Sequence, residues 1–82
     1  MFVKLGRSIV RDGVELMYNV GERSEIGVRI YDVQGREVRS ERLRVEGRGR
    51  VVVPVSDLPA GVYNLVATTR KERVFARFIV VK

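Results

Sequence analysis

The chain has 82 residues, a net charge of +6 and neither cysteine nor histidine. One small domain is expected, over residues 1–82, burying about 60% of its unfolded surface. Disulfides and thiolate metal sites are excluded, and the commonest general base and metal ligand is missing. Thirteen of the sixteen cations are arginine, which favours bidentate pairing with carboxylates, sulfates or phosphates. No stretch reaches the roughly 18 apolar residues that span a bilayer, so membrane insertion is not expected. Met1–Arg7 mixes charged and apolar residues and does not read as a signal peptide.

Valine dominates the apolar set, and Gly or Pro punctuates the chain at short intervals. That pattern predicts about seven short antiparallel strands. Phe2–Val10 is the first, closed by the turn Arg11-Asp12-Gly13. Val14–Val20 follows, with Val14, Leu16, Tyr18 and Val20 on one face. After the polar loop at 21–25 comes Ile26–Tyr31, with Val28 and Ile30 facing inwards.

Asp32-Val33-Gln34-Gly35 is a tight turn into Arg36–Val45. The Asp32 carboxylate can accept from the turn's own amides, and Gly35 supplies a positive φ. Glu46–Gly49 is read as a hairpin turn, and Arg50–Val55 as a buried strand because four valines leave little alternation. Pro54 marks that strand as an edge. Ser56–Gly61 is a corner, Val62–Thr69 the sixth strand, Arg70–Arg73 a charged hairpin tip, and Val74–Lys82 the seventh strand. Both faces of the seventh strand are largely apolar, which suggests a strand covered on both sides.

Seven such strands in this length predict an all-β, immunoglobulin-like sandwich of two sheets. Asp57-x3-Gly61-x-Tyr63 fits the corner in which a tyrosine hydroxyl bonds back to the preceding loop. Leu65 then stands where such domains carry their second disulfide cysteine.

Catalysis finds no support. Ser8 and Ser56-Asp57 lack a base to activate a nucleophile. The pairs Glu22/Glu25 and Glu37/Glu41 lie on loops or strands beside arginines. Asp12, Asp32 and Asp57 do not gather enough oxygens on one loop for calcium. No cofactor is expected. The run Arg36, Arg39, Arg42, Arg44, Arg48 and Arg50 is interleaved with Glu37, Glu41 and Glu46 and holds no aromatic, so nucleic acid is not expected.

Ile30-Tyr31-Asp32-x-x-Gly35-Arg36-x-Val38, then Leu58-x-x-Gly61-Val62-Tyr63-x-Leu65, then Phe78–Lys82 together resemble the type A C-terminal sorting domain of type IX secretion. The pattern is also similar to the Ig-like region of flagellar hook-capping proteins. The sorting-domain resemblance implies a non-catalytic module recognised by an outer-membrane export and attachment apparatus. It implies protein partners, a secreted or cell-surface location, and an anionic surface polysaccharide to which passengers become attached. The residues it points to are Asp32, Gly35, Arg36, Gly61, Tyr63 and the final strand Phe78, Ile79, Val80, Val81 and Lys82. The alternative is a self-assembling subunit of an extracellular fibre. There Phe2–Val10 or Val74–Lys82 would complete a neighbour's sheet, a reading expected if no passenger precedes Met1.

Overall fold

A computed structural model describes residues 2–82; Met1 lies outside the described residues. Eight strands follow in order: β1 (Phe2–Leu5), β2 (Ile9–Val10), β3 (Gly13–Asn19), β4 (Ser24–Tyr31), β5 (Glu37–Val45), β6 (Arg48–Pro54), β7 (Gly61–Thr68) and β8 (Arg73–Val80). They form a three-stranded sheet, β1-β3-β6, and a five-stranded sheet, β2-β8-β7-β4-β5. The all-β sandwich expected from strand spacing is the observed architecture.

The extra strand comes from a split of the first one. Val3 and Val10 are both buried, yet seven residues apart they would face opposite sides of an unbroken strand. Gly6–Ser8 resolves the conflict by breaking the strand. β1 pairs antiparallel with β3, whereas β2 crosses to the other sheet and pairs parallel with β8. Gly6 keeps its amide on the Glu15 carbonyl at 2.7 Å and packs so closely that a Cβ would fall 2.6 Å from Glu15 Oε1.

Inward residues of both sheets form one core, whose largest fully buried side chains include Phe78, Leu16, Ile26, Ile30 and Leu65. Each contributes about 1.5–3 kcal/mol of apolar burial. Three expectations are corrected here. Arg50–Val55 is not a uniformly buried strand. Registering Val53 opposite Val14 and Val52 opposite Glu15 sends Val53 into the core and leaves Val52 60% exposed. β6 is an edge strand, as Pro54 requires.

Next, Glu46–Gly49 is not a hairpin turn. β5 and β6 belong to different sheets, so the chain crosses the sandwich there, with Val20 N–H bonding the Gly47 carbonyl at 2.8 Å. Finally, β8 is covered on one face only. Phe78 and Val80 are buried, while Phe75 is 71% exposed on the outer face.

Candidate recognition surface

The strand directions gather the sequence-selected residues at one end of the sandwich. β4 ends there at Tyr31 and β5 begins at Glu37, opposite it. β7 begins at Gly61 opposite Val80, where β8 ends. The turn at 32–36, the corner at 55–60 and the chain's last residues therefore share this end.

Asp32 organises the turn. Its Oδ1 accepts the amides of Gln34 (2.9 Å) and Arg36 (3.0 Å), and its Oδ2 accepts Arg36 Nε at 2.9 Å. The Gly35 amide bonds the Asp32 carbonyl at 3.0 Å, and the Asp32 amide bonds the Arg36 carbonyl at 2.9 Å. Gly35 sits at φ 83°, with nothing within 4 Å of where a Cβ would stand. Conformation alone requires glycine here. The Arg36 amide is the main reason that the Asp32 carboxyl lies below its ordinary value. Desolvation opposes this, while the Arg36 guanidinium and the Gln34 amide reinforce it.

The corner is pinned from several sides. Tyr63 Oη donates to the Pro59 carbonyl at 2.6 Å, and its ring stacks on Phe78 with centroids 5.6 Å apart and planes at 22°. Val55 N–H reaches the Asp12 carbonyl at 2.8 Å, and Leu58 N–H the Val55 carbonyl at 3.0 Å. Gly61, at φ 157°, leads the chain out of the corner into β7. Lys82 Nζ donates to the Ser56 carbonyl at 2.8 Å, and Val81 N–H to the Val10 carbonyl at 2.9 Å.

An ion pair that the motif reading missed ties β5 to this corner. The register shifts between Ile30 and Tyr31, so Ile30 faces Arg39 while Tyr31 faces Glu37. This bulge turns Arg39 toward the core side, since directly opposed residues share a face. The Arg39 side chain is only 19% exposed and pairs with Asp57. No local spacing relates residues 39 and 57; the only signal was an extra residue in the β5 pattern, Val38.

The selected residues divide into two kinds. Asp32, Gly35, Arg36 and Lys82 lie in or at the exposed loops, and Ile79 is 39% exposed on the outer sheet face. Tyr63, Phe78 and Val80 are buried, and Val81 is half-buried. The final strand ends at Val80, with the Val81 amide still bonded to the Val10 carbonyl and Lys82 beyond it. The loops and Lys82 form the exposed surface of this end, while the buried residues set their shape. Among the described residues, no three His, Cys, Asp or Glu side chains come together as a metal site.

A family model described as the secretion system C-terminal sorting domain matches residues 10–82. A search of curated proteins finds no match. The family match begins inside β2 and takes in the turn, the corner and β8. The chain therefore belongs to the secretion system C-terminal sorting domain family, the sorting domains of type IX secretion.

Proposed function

We propose that this module is read as a folded shape by the export apparatus through the end of the sandwich that carries the Asp32–Arg36 turn, the Gly61 corner and the chain terminus. Membership of the family implies export to the cell surface or the medium and a protein partner in the secretion machinery. One observation carries the reading further: three motif segments far apart in sequence converge on one end. Rigid loops there suit recognition of a surface rather than of an unfolded tail. No reaction is proposed, and passenger attachment to an anionic polysaccharide stays with the machinery, outside this domain.

The test is export of a reporter fused ahead of the module in a host with a type IX system. Arg36→Glu and deletion of Val81–Lys82 should each abolish most export while circular dichroism shows the domain still folded. Wild-type export of both folded variants would sink the proposal.

The alternative is a filament built by strand addition between copies. Free edges favour it, but their charges oppose it. β1 carries Lys4, β6 carries Arg48 and Arg50, and β5 carries three arginines against two glutamates. Edge pairing between copies would set like charges opposite one another. Light scattering of the purified chain should therefore give a species near 9.3 kDa; ordered filaments would reverse this preference.

A further inference from the structure

A second surface lies away from the loop end. β2 pairs with β8 at Ile79 and Val80 only, because the chain ahead of it has crossed to the other sheet as β1. Among the described residues, no strand pairs with the β2-side edge of β8 from Arg73 to Phe78, although β1 in the other sheet approaches β8. The direction of its bonding groups follows from the ladder. The Ile79 and Val81 amides point toward β2, where they meet the Ser8 and Val10 carbonyls at 2.7 and 2.9 Å. Bonding groups alternate along a strand, so the amides and carbonyls of Phe75 and Arg77 face the same way. Among the described residues, no strand pairs with them.

The side chains beside this slot form a pattern. Arg73, Phe75 and Arg77 share the outer face, and all are exposed. Among the described residues, neither Arg73 nor Arg77 is in a salt bridge; Arg77 Nε makes a 3.4 Å bond to Asn64 Oδ1. The exposed Phe75 ring beside unpaired backbone favours an added strand, and the flanking arginines bar a basic one.

We infer that this slot takes an extended segment of an acidic protein partner, patterned acidic-x-apolar-x-acidic, as an added strand beside β8. The same-face repeat of the added segment, about 6.6–6.8 Å, equals that of β8. Each carboxylate then lies opposite an arginine, and the apolar residue lies against the Phe75 ring. The pattern reads the same in both directions, so either strand polarity satisfies it. A second copy of this chain is disfavoured. Antiparallel pairing of two β8 edges about Phe75 would put Arg73 opposite Arg77 twice. The loop-end proposal does not depend on this surface.

The test is amide NMR of the labelled 82-residue chain titrated with the peptide Thr-Glu-Thr-Val-Thr-Glu-Thr, using a version with lysines at both glutamates as control. Shift changes and slowed hydrogen exchange should centre on Phe75 and Arg77, and the acidic peptide should bind at least about tenfold more tightly than the basic one. In the Arg73→Glu/Arg77→Glu variant the preference should reverse, with the spectrum itself reporting that the fold is intact. Equal binding of both peptides, perturbation centred elsewhere, or no perturbation at about 1 mM peptide would overturn the inference. So would a reporter peptide carrying the glutamates that binds the charge-reversed variant unchanged.

Discussion

The sandwich contains two hairpins, and their turns solve one problem with different chemistry. At the β4–β5 turn a carboxylate, Asp32, holds two amides at 2.9 and 3.0 Å and a guanidinium at 2.9 Å. At the β7–β8 tip a hydroxyl, Thr69 Oγ1, holds the amides of Lys71 and Glu72 at 3.3 and 3.1 Å. The first set is shorter and charge-assisted; the second is neutral. The first turn also fixes a residue at positive φ, whereas no non-glycine residue among those described has one and the tip contains no glycine. Stiff, charged geometry is thus concentrated at the end that carries the family motifs, and the opposite end uses a generic cap.

Substitutions sort along this contrast. The largest effect is expected from Phe78→Ala, which removes the ring beneath Tyr63 and should cost about 3–5 kcal/mol. Urea unfolding of the variant should show most of the chain's stability gone, since domains this small have little to spare. A value near zero would mean that the corner is not anchored through this ring. Gly35→Ala should cost about 1–2 kcal/mol from backbone strain alone, because the new Cβ meets nothing. At the tip, Lys71→Ala should shift the unfolding midpoint negligibly. Equal effects at the two turns would erase the contrast.

Tyr63→Phe deletes the bond to the Pro59 carbonyl while leaving the stacked ring. It should cost about 1 kcal/mol, measured by thermal unfolding. A smaller effect than these losses is one of pH. The Asp32 carboxyl is depressed below 3.8, so its stabilising contribution is complete above the unfolded-state value of about 3.9. It is lost as pH falls through the lower folded-state value. Urea midpoints measured from pH 6 downward should fall in that acid window, and Asp32→Asn should flatten this part of the curve. Thr69→Val should lower the midpoint at every pH without changing its slope.

What was legible in the sequence follows from range. The Asp32 turn and the Tyr63 corner close over at most four residues, so residue type and spacing nearly determine them. Strand alternation likewise exposed the core positions of β3 and β4. The misread parts all depend on a distant partner. Val52 looked buried until β3 fixed its register. Glu46–Gly49 looked like a hairpin because the flanking strands are adjacent in sequence, though they lie in different sheets. The parity of Val3 and Val10 held the clue to the split of the first strand, but only a two-sheet core gives that parity meaning. At the candidate site, Arg39–Asp57 stayed hidden because one bulge residue reverses which face an arginine presents.

The parallel pairing of β2 with β8 also has a mechanical consequence. Residue 2 lies at the far end of the sandwich and residue 82 at the loop end. Tension applied between them draws β2 and β8 along their common axis in opposite directions. The bonds from Ile79 to Ser8 and from Val81 to Val10 are then loaded side by side in shear and must fail together, whereas a hairpin pulled open from one end gives way one bond at a time. A domain stretched by its two ends is thereby latched at the strand it splits off from its own beginning.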